Sequence, residues 1–81
     1  MIKVNIKCFS QVQYALSQTD LLVELEDGSK SSDLEKIIRV RAKGKLDDVS
    51  LRVAINQNYV TEDTELKNGD EVAFIPPVQG G

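Results

Sequence analysis

Ser32-Asp33-Leu34-Glu35-Lys36-Ile37-Ile38-Arg39-Val40-Arg41-Ala42-Lys43-Gly44 is the clearest helix in the chain, and the fold turns on what surrounds it. Leu34, Ile37, Ile38 and Ala42 fall on one stripe at helical spacing, so residues 32–43 bury one face. Ser32, followed three residues later by Glu35, predicts a capping box that holds the first turn. Gly44 suits the left-handed residue that stops such a helix. A single apolar stripe needs a surface to lie on, and the segments on both sides have the two-residue period of strands.

Upstream, Ile2, Val4, Ile6 and Cys8 alternate with Lys3, Asn5, Lys7 and Phe9, which predicts a strand with one buried face. Ser10 is placed to cap a short helix in which Val12, Ala15 and Leu16 share a side. The alternation returns at Leu21, Val23 and Leu25 and ends in the turn pair Asp27-Gly28. Downstream, strand-like runs cover Arg52 to Gln57 and Asp70 to Ile75, with Val53 and Ile55, then Val72 and Phe74, sharing parity. Asn58, Asp63, Asn68 and Gly69 make the stretch between these runs turn-rich. The order strand, strand, helix, strand, strand predicts an α+β architecture, a mixed sheet packed on one main helix. One domain over residues 1–76 is expected, followed by an extended C-terminal tail at 77–81.

Composition narrows the chemistry. Eighty-one residues support one small domain, and no histidine with a single cysteine excludes a zinc site of N and S ligands, a disulfide framework and a Ser-His or Cys-His pair. The parity of Cys8 places it inward as a small buried hydrophobe. No acidic spacing matches a calcium loop, so no metal is expected. A net charge of -3 and a pI near 4.8 argue against nucleic acid, which requires a clustered basic surface. Lys36, Arg39, Arg41, Lys43 and Lys45 are read as a solvated face whose cations complement the helix C-terminus. Glu62, Asp63, Glu65, Asp70 and Glu71 are read as solvent-facing acids of loops and a strand start. With no apolar signal block and no apolar run of roughly 18 to 20 residues, no membrane association is expected, and a cytosolic location is.

The last strand runs into Ile75-Pro76-Pro77-Val78-Gln79-Gly80-Gly81. Pro76 and Pro77 have fixed φ and no N–H, so they end the strand and launch a stiff segment away from the sheet. Five extended residues from Pro77 reach roughly 17 Å. Glycines at positions 80 and 81 let an enzyme channel close around the chain end, where a Cβ would not fit. The α-carboxylate of Gly81 is ionised at neutral pH and is a poor acyl donor. Attack on the α-phosphate of ATP would convert it to an acyl-adenylate, open to a sulfur donor or to an amine.

The run Gly69-Asp70-Glu71-Val72-Ala73-Phe74-Ile75-Pro76-Pro77-Val78-Gln79-Gly80-Gly81 resembles the small, sulfur-carrying subunit family of molybdopterin synthase, within the ubiquitin-like β-grasp superfamily. Met1-Ile2-Lys3-Val4, Phe9-Ser10-Gln11-Val12 and Ala54-Ile55-Asn56-Gln57 extend the likeness along the whole chain. Gly-Gly alone is shared by every carrier of the superfamily, whereas Gly-Asp-Glu-Val followed by Pro-Pro-Val-x-Gly-Gly is specific. The resemblance implies a ubiquitin-like β-grasp fold with a C-terminal Gly-Gly tail. It implies a non-catalytic subunit whose Gly81 is adenylated, at the expense of ATP, by an E1-like adenylyltransferase/sulfurtransferase and then converted to a thiocarboxylate. It further implies a large subunit, in a complex of two large and two small chains, where the sulfur reaches cyclic pyranopterin monophosphate. No permanently bound cofactor is expected. Two other readings share the tail: a ubiquitin-like protein modifier and a thiamin-pathway sulfur carrier.

Phe9 and Ile75 lie on the outward parity of the first and last strands, where a lone domain would favour polar residues. With Tyr59 they form a candidate docking patch near the base of the tail, and Gly80, Pro76 and Pro77 are the candidate positioning elements for Gly81. In the family, these three patch positions match hydrophobic residues that meet partners, and Ile75 stands where phenylalanine is frequent.

Overall fold

A computed structural model describes residues 1–76 as a five-stranded mixed sheet with one main helix and one short one. In chain order the elements are β1 (Ile2–Cys8), α1 (Ser10–Leu16), β2 (Asp20–Leu25), α2 (Ser31–Arg41), β3 (Arg52–Ile55), β4 (Asn58–Val60) and β5 (Glu71–Ile75). The strand order is β2-β1-β5-β3-β4, with β5 parallel to β1 and every other pairing antiparallel. This is the architecture expected from the sequence, with one strand added. The expectations placed on Pro77, Gly80, Gly81 and the 77–81 tail lie outside the described residues.

The added strand is β4. Asn56 and Gln57 both take positive φ, 51° and 71°, which is the backbone of a two-residue hairpin turn matched to sheet twist. The turn folds Asn58–Val60 back on β3 in the register Ile55↔Asn58, Ala54↔Tyr59 and Val53↔Val60. The predicted run to Gln57 therefore ends at Ile55, and Tyr59 sits on a strand instead of in a turn-rich loop.

The core lies between the sheet and α2. Val4, Ile6 and Val72 from the sheet, with Phe74, meet Leu34 and Ile38 from the helix, all of them sealed from solvent. Val12 from α1 and Leu46 and Leu66 from the loops close the same cluster. Inward parity holds for Ile2, Val4, Ile6 and Cys8 as read. On β3 it is relaxed: Val53 and Ile55 are half-buried, while Ala54, on the opposite face, is buried.

Both helix starts differ from the local rules. Phe9 holds the cap position of α1 and its carbonyl accepts the Val12 N–H at 3.0 Å; Ser10, expected as the cap, is the first helical residue, with a left-handed φ of 53°. Helix α2 begins one residue before Ser32. Its first turn is held by carboxylates: Asp33 Oδ2 accepts the Lys30 N–H at 2.9 Å, and Asp63 Oδ1 accepts the Ser32 N–H at 2.9 Å from 31 residues away. Asp63 also accepts from the Ser31 and Ser32 hydroxyls, at 3.1 and 2.8 Å. These bonds, led by that from the Ser32 N–H, hold the Asp63 carboxyl below its usual range. Two negative groups thus meet the positive end of the helix dipole.

At the other end of α2, Arg39 departs from the solvated face assigned to it. Its guanidinium donates to Glu35 at 3.0 Å, to the Val49 carbonyl at 2.8 Å and to the Leu46 carbonyl. That fork pins the 42–50 loop, which carries sealed Leu46, against the helix. Glu35, expected to cap the helix, serves this pair instead. Gly44 is left-handed as predicted, with φ 87°.

Candidate docking site at the end of β5

One row of residues crosses the face of the sheet opposite α2. The registers align Lys7 on β1 with Ala73 on β5, Ala73 with Ala54 on β3, and Ala54 with Tyr59 on β4. Methyl groups at the two central positions leave this face lower in the middle than at its margins. Phe9, Tyr59 and Ile75 stand around the depression, and with Ala54 and Ala73 they line a concavity of about 230 Å³, with Lys7, Gln57 and Glu71 on its rim. The structure thus brings together the three residues read as a docking patch, at the point where β5 ends. Phe9 and Tyr59 are 49% and 59% exposed, large apolar surface that the domain itself leaves uncovered.

The floor of that socket was not visible in the sequence. Ala54 and Ala73 are buried, at 6% and 9% exposure. Only their mutual register, one strand apart on the outer face, shows that they make room for something larger.

Local bonds fix the walls. Asn56 donates its backbone N–H to the Glu71 carbonyl at 2.7 Å, and its side chain accepts the Glu71 N–H and donates to Asp70 Oδ1, both at 3.0 Å. The β3–β4 hairpin that carries Tyr59 is thereby tied to the start of β5. Arg52 lies over the Tyr59 ring, 5.1 Å from its centroid, and restrains that side chain from the other side. Ile75 is the last residue of β5, and buried Pro76 follows it directly, as a residue with no N–H to extend the ladder must.

Lys7 Nζ contacts Asp20 Oδ1 at 2.6 Å, and this bond raises the lysine and lowers the aspartate, so both remain charged at neutral pH. Burial pushes the Cys8 thiol up, away from the thiolate that would make it a nucleophile. Its side chain is sealed on the helix side of β1, opposite the socket. Among the described residues no three His, Cys, Asp or Glu side chains gather as a metal site. A separate hollow of about 600 Å³ lies elsewhere, lined by Gln13, Ser17, Gln18, Thr19, Asp20 and exposed Tyr14. No helix of the described residues is long and apolar enough to cross a membrane. What the outer face offers is a shallow, largely apolar socket at the exit of the last strand.

The ThiS family model matches residues 6–81, which include all of this site and the final glycines. The chain belongs to the ThiS family. It is 53% identical over 80 residues to the molybdopterin synthase sulfur carrier subunit of Haemophilus influenzae, an alignment that takes in 96% of this chain and 99% of that one. In three dimensions it is similar to a Pyrococcus furiosus candidate for molybdopterin converting factor subunit 1, with a TM-score of 0.86 at 30% identity over 96% of this chain and all of the other. A Helicobacter pylori structure, a complex of subunits 1 and 2 of molybdopterin-converting factor, matches with a TM-score of 0.67 at 23% identity, covering 99% of this chain and 100% of that one. At that identity the likeness is one of fold. The ubiquitin-like β-grasp expected from the C-terminal motif is the fold of this ThiS-family chain.

Proposed function

We propose that this chain is the sulfur carrier subunit of a molybdopterin synthase, with Gly81 as its reactive group. The observation that carries the reading is the 53% identity to the H. influenzae carrier along nearly the full length of both chains. The structure adds physical support: it presents an apolar socket where β5 ends, and its cysteine is sealed in the core with the thiol pushed up by burial. In this reading the Gly81 carboxylate attacks the α-phosphate of ATP on an E1-like enzyme, and pyrophosphate leaves. A sulfur donor then displaces AMP to give the thiocarboxylate. Gly80, Pro76 and Pro77 position that end, and Phe9, Tyr59 and Ile75 dock the body on the large subunit. There the sulfur passes to cyclic pyranopterin monophosphate, in a cytosolic assembly of two large and two small chains. The carrier is not a catalyst alone and holds no permanent cofactor.

Co-purification with the cognate large subunit, followed by conversion of the pterin precursor by the thiocarboxylated complex, tests this function. Formation of the dithiolene is expected. A stable chain that neither binds the large subunit nor supports conversion, yet forms reductant-resistant conjugates to lysines of cell proteins, would replace the carrier reading with that of a modifier. Rescue of thiazole synthesis instead would assign it to the thiamin pathway.

A further inference from the structure

We propose that Arg52 is a specificity residue of the docking face, pairing with a carboxylate on the protein that receives the chain's end. The inference rests on the reading of the Phe9–Tyr59–Ile75 socket as a docking surface. Arg52 is opposite Ile75 in the β3–β5 register, so its side chain leaves the same outer face at the last residue before Pro76. The Tyr59 ring under its guanidinium, 5.1 Å away, holds the arm beside the socket. A guanidinium resting on a ring keeps its in-plane N–H donors free for a carboxylate fork.

Three charged groups are committed elsewhere, while the carboxylates of Glu62, in the groove beside Arg52, and of Glu71, at the socket, make no ion pair among the described residues. Lys7, the lysine on the rim of the socket, is bonded to Asp20, with the Glu71 charge also acting on it. Arg39 spends its donors on Glu35 and two carbonyls. Asp63, which borders a groove next to Arg52, uses both carboxylate oxygens on Ser31 and Ser32. Among the described residues Arg52 makes no ion pair. A cation prepositioned on an aromatic ring, exposed, and without an ion pair among the described residues, at the edge of an apolar socket, fits a partner surface that places an acidic side chain next to an apolar anchor. For a chain of net charge -3, such a pair fixes orientation where overall charge would repel an acidic partner surface.

The test measures binding of the full chain to the cognate large subunit for the wild type, R52K, R52E and I75D, with thermal melts to confirm folding. R52E is expected to weaken binding by on the order of tenfold or more, and R52K by less, because it keeps the charge and loses the fork. An Asp→Arg or Glu→Arg scan of the large subunit should yield one reversal that restores R52E and weakens the wild type. If R52E binds like the wild type while I75D does not, the Arg52 proposal fails and the docking face stands. If both bind like the wild type, the docking face itself is wrong. Loss in R52E that no reversal restores would show Arg52 to be a support for Tyr59, and would overturn the pairing.

Discussion

The two faces of β5 are built on opposite principles. On the side of α2, Val72 and Phe74 are fully sealed, and the space between sheet and helix is filled by branched and aromatic side chains. On the other side, Ala73 and its neighbour Ala54 are small, and the large residues stand back at the margin. The helix face is complete within the chain; the outer face has been left one side chain short. A five-residue strand can thus anchor the core with alternate residues and line an open socket with the others, because successive side chains point to opposite faces.

Three substitutions probe that contrast. Phe74→Ala, on the complete face, should cost about 3 to 5 kcal/mol and leave much of this small domain unfolded, as read by urea denaturation. Ala73→Leu, one residue away on the incomplete face, should change stability by less than about 1.5 kcal/mol yet abolish large-subunit binding by filling the socket. A stable Ala73→Leu chain that still binds normally would end the distinction between the faces. Cys8→Ala removes a sealed group from the helix side and should cost about 1 kcal/mol while leaving sulfur delivery intact; a folded variant that no longer delivers sulfur would place chemistry where only packing is expected.

The smallest effect concerns the start of α2. The Asp63 carboxyl is held below its unfolded range, so its contribution is present above about pH 4 and is lost as pH falls through the folded value. Asp63→Asn should therefore lower the melting temperature near neutrality, with the difference from wild type shrinking on acidification. A difference that persists unchanged at low pH would show that charge is not what Asp63 contributes.

Period and parity made most of the fold legible. Alternation from Ile2 to Cys8, the stripe of Leu34, Ile37, Ile38 and Ala42, and the break at Pro76 all follow from local spacing. What spacing could not convey was long-range. Asp63 displaces Ser32 and Glu35 from their local capping roles because a loop 31 residues on folds against the helix start. Arg39 belongs to no solvated face because the 42–50 loop turns its carbonyls toward it. β4 was hidden because its three residues follow Asn-Gln, where a hairpin is more often announced by Asn-Gly. For the site, parity marked Phe9 and Ile75 as outward, whereas the alanine floor and the Arg52–Tyr59 contact required the strand register. The family-specific C-terminal run pointed to the carrier role, which neither composition nor parity could have named.

The central claim is that this chain carries its sulfur on its own last residue. Intact-mass measurement after incubation with the cognate activating enzyme, ATP and a sulfur donor tests it most directly. The chain should gain the mass of one oxygen-to-sulfur exchange, localised to Gly81 by fragmentation, and a variant with one residue added after Gly81 should gain nothing while remaining folded. Absence of that exchange in the wild type, or its appearance in an extended variant that has not been trimmed, would contradict the account.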